Sequence, residues 1–457
     1  MADIQSNTIE LGRQPVGKLL LKYSIPAIVG MVVVSLYNIV DRIFIGQGVG
    51  AMAISGLALT FPLMNMVAAI GTLVGVGAST RISIVLGMKD VKWARNILGN
   101  AFFLTFILSA LLITPAMIWM DDILRLFGGS DQTIPYARDY LRIVIPGSFL
   151  TNLSFSFGGM MRAAGFPKKS MLVNIIGVGL NFILDPIFIF GFGMGIQGAA
   201  WATVISMFAS AVFVLRHFAD KRNEVRFERE GFQLKKRIIR NIVSIGLAPF
   251  LMNTAGSFVN ILLNHQLYRT GGDLAIGAFG IINSYGAFIV MMVMGLCQGM
   301  QPIVGYNYGS NHLKRMKDTL LLALKVATGI VCLGFVLGEV FPEALVKLFT
   351  TDETLRELTV PGLRIVFAVF PLIGFQIIVA QFHQSIGMAK EAIFMSLSRQ
   401  VIFLMPAIYV FGRLWDLSGV WWALPFSDTL AVITAVFFLA RAKKRFYPRP
   451  RIRLKRA

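Results

Sequence analysis

Cysteine is nearly absent from this chain: Cys297 and Cys332, both in apolar runs, offer no disulfide framework. Histidine is as scarce. His217, His265, His312 and His383 are scattered without ligand spacing, so no histidine-based metal centre is expected. Charge is thin as well: Asp, Glu, Lys and Arg make up 14% of the 457 residues against 56% hydrophobic, too apolar for a water-soluble core. Acids are the scarcest charges, 23 against 43 Lys and Arg, for a net charge of +20. The basic excess sits in short loops and in the tail "RAKKRFYPRPRIRLKRA", a distribution that suits an anionic lipid leaflet rather than nucleic acid. The opening "MADIQSNTIELGRQPVGKLL" lacks the basic start, short apolar run and small-residue exit of a cleaved signal, so it is expected to stay as a cytoplasmic segment.

Long apolar runs dominate what remains. A bilayer core of roughly 30 Å needs about 20 apolar helical residues. On that basis spans are expected near 24–45, 53–80, 96–119, 137–160, 171–192, 196–216, 239–265, 275–305, 319–341, 358–385, 392–412 and 419–440. Of the 43 Lys and Arg, five (Arg125, Arg269, Lys347, Arg356, Arg413) lie in the odd-numbered gaps and eight (Arg42, Arg138, Arg142, Arg216, Arg240, Lys325, Arg364, Arg399) inside spans or at their ends, so 30 remain for the chain ends and the even-numbered gaps. The positive-inside rule then puts both termini in the cytoplasm.

The chain also repeats itself. "LRIV" at Leu141–Val144 recurs at Leu363–Val366, a shift of 222 residues, and Gly87 matches Gly309, Gly165 matches Gly387, and Ala53 matches Ala275. The reading is an all-α membrane protein of twelve transmembrane helices in two six-helix lobes. The lobes are 1–217 and 239–441, joined by a basic linker, 218–238, and followed by a basic tail, 442–457. Six helices duplicated in parallel imply a pseudo-twofold axis along the membrane normal and a substrate cavity between the lobes, the plan of a transporter.

Polar residues inside the membrane separate the two lobes. Arg142 and Arg364 recur at equivalent outer helix ends, as snorkelling side chains would. Asp185, in contrast, stands opposite Met405, Thr203 opposite Leu424 and Asp41 opposite Leu263. At 1.5 Å per residue, Asp185 and Asp41 lie about 21 and 24 Å above the cytoplasmic edge and Thr203 roughly 10 Å below the outer one. Asn181 precedes Asp185 by one turn and shares its face. Pro186 has no amide for the carbonyl of Phe182 and loosens the helix there; Pro26 is a second hinge candidate, in the first span. Asp41 could instead pair with Arg142, whereas an adjacent Arg42 points about 100° away. Carboxylates, an amide and a hydroxyl at one level are hard oxygen ligands, fit for a proton or for Na+ at Asp41, Asn181, Asp185 and Thr203.

With "LYNIVDRIFIGQG" in the first span and "NIIGVGLNFILDPIFIFGFGMGIQGAAWAT" across the fifth and sixth, the chain resembles the multidrug and toxic compound extrusion (MATE) family, closest to its MepA and DinF branches. That resemblance implies an inner-membrane antiporter, not an enzyme, that exports small organic cations in exchange for H+ or Na+ by alternating access. It implies membrane lipids around a monomer and no cofactor beyond the coupling ion. It carries Asp41, Asn181, Asp185 and Thr203 onto the family's first-lobe cation site and Tyr140 of "ARDYLRIVIPG" onto its fourth-helix tyrosine. NorM-type relatives place acids in the second lobe; spans 7 and 8 here, including "NTAGSFVNILLNHQLY", have none at the matching positions. A flippase for a lipid-linked saccharide is the alternative, and it calls for a cavity lined by several Arg or Lys.

Overall fold

In a membrane every backbone amide and carbonyl must be satisfied within its own segment, and an apolar chain of this kind meets that demand by helix formation. The structure, a computed structural model, describes residues 6–49, 51–350 and 352–446, which contain helices and no strand. The first half comprises α1 (Ser6–Arg13), α2 (Val16–Gly48), α3 (Ala51–Gly87), α4 (Val91–Ile118), α5 (Met120–Leu126), α6 (Ile134–Ala163), α7 (Pro167–Pro186) and α8 (Gly195–Ala219). The second comprises α9 (Lys236–Gly309), α10 (Leu313–Val340), α11 (Pro342–Lys347), α12 (Glu353–Phe367), α13 (Phe370–Ser385), α14 (Ala389–Leu397), α15 (Met405–Leu414) and α16 (Asp416–Phe446).

Twelve crossings result. Ten helical stretches among the described residues are long and apolar enough to span, α14 and α15 counting as one across the π turn Ser398–Leu404. The bent pair α12 and α13 adds another, and α9 supplies two because its 74 residues break at Gly272. A straight helix of that length would be about 110 Å long, far beyond a bilayer. The expected single helix over 358–385 is bent by 50° between α12 and α13. Pro371, at the start of α13, has no amide to continue the α12 ladder. Several helices also outrun the expected spans, because caps rather than bilayer thickness end them. Asp90 accepts from the Trp93 amide at 2.9 Å and starts α4 well before residue 96.

The repeated glycines have distinct jobs. Gly165 and Gly387 follow α6 and α13 with φ of 98° and 79°, the left-handed conformation that stops a helix with little strain. Gly87 and Gly309 sit where α3 meets the end of α9: a Cβ on Gly87 would overlap the Tyr306 carbonyl oxygen, and one on Gly309 that of Ile84. These contacts are reciprocal, since Ile84 and Tyr306 are themselves 222 residues apart. The lobes thus touch backbone to backbone at the end that carries the termini.

The same reciprocity corrects one sequence register. Gly246 and Gly77 bring α9 against Leu73 and Ile242, while Gly295 and Gly299 bring it against Ile28 and Ser24 of α2. Leu73 matches Gly295 and Gly77 matches Gly299 at a shift of 222, so Ile28 must match Gly246 and Ser24 must match Ile242, a shift of 218. The position equivalent to Asp41 is therefore Val259, one turn before the expected Leu263. The second lobe's first span is four residues longer before its break at Gly272.

Candidate functional site

Two turns of α2 and α7 supply the acids. Tyr37 and Asp41 share a face of α2 at i and i+4, as Asn181 and Asp185 do on α7. Packing of α2 on α7 is fixed toward this end by Phe44, whose ring lies 5.8 Å from that of Phe182 and 6.4 Å from that of Phe190. Asp185 is only 1% exposed, and Asn181, Thr203 and Tyr140 are buried with it. After Pro186 the helix widens into a π turn over Ile187–Gly191, the local consequence of the missing amide.

The hydrogen bonds join these residues into one cluster. With its amide nitrogen turned toward the acid, Asn181 donates to Asp185 Oδ2 at 2.8 Å and to the Tyr37 hydroxyl at 3.0 Å, and its carbonyl accepts from the Thr203 amide at 3.0 Å. The opposite orientation leaves a single contact, 3.3 Å to Thr203 Oγ1, and faces oxygen toward oxygen. Thr203 Oγ1 donates to the Ala199 carbonyl at 2.8 Å and has the Tyr37 and Tyr140 hydroxyls as neighbours. The carboxyls of Asp41 and Asp185 are neighbours in this cluster. Two neighbouring carboxyl groups can share a hydrogen bond only when one proton lies between them.

A cavity of about 350 Å³ opens beside this cluster, walled by Tyr37, Asp41, Phe61, Met64, Tyr140 and Met207. A second, of about 220 Å³, adjoins it on the side of Asn174, Asn181, Ser206 and Ser210, and Tyr37, Thr151, Thr203 and Met207 line both. No Lys or Arg is among the described residues of either lining.

All five polar residues singled out from the sequence, Asp41, Tyr140, Asn181, Asp185 and Thr203, thus meet at one place, and Pro186 adjoins them. Pro26 lies on α2 about 16 Å from Tyr37 and outside the cluster. Arg142 and Arg364 are exposed. The side chain of Arg42 is outside the described residues. Sequence reasoning passed over Tyr37, whose signal was its place one turn before Asp41. It also passed over Asp428, buried in α16 of the second lobe and paired through Oδ1 with Arg399 Nε at 2.6 Å.

Comparison with known proteins agrees with this architecture. The sequence profile of the MatE family matches twice, over residues 26–187 and 245–410, once per repeat. The chain is 30% identical over 432 residues to the multidrug export protein MepA of Staphylococcus aureus (strain MRSA252), covering 93% of this chain and 94% of that protein. A MepA of Staphylococcus haemolyticus (strain JCSC1435) is 30% identical over 430 residues, covering 94% of each. Among solved structures, an outward-facing conformation of a multidrug resistance MATE family transporter superposes with a TM-score of 0.90 at 24% identity. The match covers 96% of this chain and 99% of that one, a likeness of fold.

Proposed function

The chain belongs to the MatE family, and from that premise we propose that this multi-pass membrane protein exports small organic cations in exchange for an ion bound at the Asp41–Asp185 pair. The observation that carries the reading is the pair itself: a buried carboxyl, Asp185, beside a half-buried one, Asp41, open on one side to a cavity walled by aromatic and methionine side chains. Such a wall adapts to ligands of different outline, and the acids supply the charge that selects cations. A basic cavity, which a lipid-linked saccharide would need, does not accompany this site among the described lining residues.

The arrangement favours a proton over sodium as the coupling ion. A proton lets the two neighbouring carboxyls share a hydrogen bond. Sodium would need the Asn181 carbonyl, which in the favoured orientation accepts from the Thr203 amide. Binding of the proton cancels the charge that holds the cation, and the drug leaves. Deprotonation restores the site after the lobes have rocked about the twofold interface. With both termini cytoplasmic, the glycine-packed end is the cytoplasmic gate, closed here.

Efflux of ethidium from proteoliposomes under separately imposed proton and sodium gradients tests the proposal. The expected result is export driven by the proton gradient alone. Export driven equally well by sodium at fixed pH would overturn the choice of ion, and no export under either gradient would overturn the transport reading.

A further inference from the structure

The repeat places a second cavity in the second lobe, at the positions that match the first-lobe chamber. Ser154, Phe155, Asn174, Gly177 and Val178 line the one near Asn181; a shift of 222 turns them into Gln376, Ile377, Ser396, Arg399 and Gln400, all of which line a cavity of about 110 Å³. The shape was duplicated and its chemistry changed. Where the first chamber has Gly177, the second has a guanidinium; where the first has Met207, the second lobe has Asp428, at a shift of 221.

We propose that this second-lobe chamber is a binding site for a small organic carboxylate, held by Arg399. The guanidinium is fixed by Asp428 through Nε, the only one of its three nitrogens engaged among the described residues, and its side chain remains 30% accessible as part of the lining. The free edge of the fork, its two terminal nitrogens, is the part that matches a carboxylate with two parallel bonds. Asp428, 5% accessible, keeps the arginine positioned and its charge balanced while the site is empty. Gln400 adds an independent sign: its amide oxygen is buried without a hydrogen-bond partner. Turning that amide would offer a bound carboxylate an N–H in place of an orphaned acceptor. The cavity is smaller than the roughly 300 Å³ or more typical of drug-sized ligands, so the ligand is a one-ring acid rather than a large amphiphile. The site differs in charge sign and lobe from the cation site, so it stands or falls separately from it.

The test uses the full chain in lipid nanodiscs with 4-fluorobenzoate as the probe and 4-fluorobenzamide as its neutral counterpart, read by fluorine NMR line broadening in the absence of any cationic substrate. Saturable binding of the benzoate and not of the benzamide is expected for the wild type. Asp428→Asn, which leaves the arginine uncompensated, should bind the benzoate about tenfold more tightly, the worth of one stronger charge-assisted contact. The double variant Arg399→Gln with Asp428→Asn is neutral, like the original pair, and should lose binding while remaining monodisperse. Should Asp428→Asn fail to fold, the comparison of wild type with the double variant decides alone. Absence of saturable benzoate binding to the wild type, or equal binding by the double variant, would overturn the proposal.

Discussion

Asp185 faces one acid and one amide in a site it barely shares with solvent, and that is why the isosteric change Asp185→Asn is informative. It keeps size and hydrogen bonding and removes the exchangeable proton. Gradient-driven export should fall to background while stability shifts by no more than about 1 kcal/mol, read from thermal melting in detergent. Tyr37→Phe deletes one neutral hydrogen bond from the same cluster and should cost roughly fivefold in substrate affinity, or about 1 kcal/mol. The acids, Asn181 and Thr203 were legible in the sequence because polar groups are costly at membrane depth and therefore stand out there. Tyr37 was not, because a tyrosine in an apolar run passes as an ordinary membrane residue. Asp428 escaped for a different reason: its partner Arg399 is 29 residues away on another helix, and no spacing rule joins them.

Among the elements, the connection between the lobes departs most from its sequence reading. A stretch read as a basic linker is strapped onto α4. Asn100 donates to the Gln233 carbonyl at 2.9 Å and accepts from the Lys235 amide at 2.8 Å, and Arg95 donates to the Glu224 carbonyl at 2.9 Å and pairs with Glu228. Phe227 and Phe232 stack against each other and edge-on to Phe102. The hydrogen bond from Arg95, with Arg226 adding to it, holds the Glu228 carboxyl below the usual carboxylate range. A depressed carboxylate stabilises the docked linker at neutral pH, and that contribution fades only as the pH falls through and below the ordinary carboxylate range. Protection factors of residues 224–235, with the intrinsic pH dependence of amide exchange divided out, should therefore be high at neutral pH and fall toward about pH 3. In Arg95→Ala they should be low at both, and high protection in that variant would remove the strap from the account. The spans themselves were legible because length and apolarity fix them. The bend at Pro371 and the π turns were less so, since they depend on neighbouring helices taking up the backbone groups that are freed.

For the whole molecule, the repeat was legible from a handful of identical residues, but its register in the first and seventh spans was not. A four-residue difference preserves the apolar face of a helix and is invisible to hydropathy; only the reciprocal glycine contacts reveal it. In the proposed exchange cycle those contacts are the closed gate. Gly246→Val would drive a side chain into the Leu73 backbone and should hold the gate open. Thr80→Cys is a suitable reporter, because Thr80 is fully buried and accepts from Gln301 at 2.9 Å across the lobe interface. In a background without Cys297 and Cys332, its labelling by a membrane-impermeant thiol reagent applied to the terminal side should rise with Gly246→Val; unchanged labelling would mean that another contact closes the gate. The central claim, that one protonatable pair serves both the cation and the coupling ion, is tested most directly by the binding of tetraphenylphosphonium, a cation that cannot titrate, from about pH 8.5 down to about pH 5.5. Competition with a single proton lowers affinity by up to about tenfold per pH unit. The account predicts such a decline for the wild type and a flat profile for Asp41→Asn combined with Asp185→Asn; an equally steep decline in the double variant would contradict it.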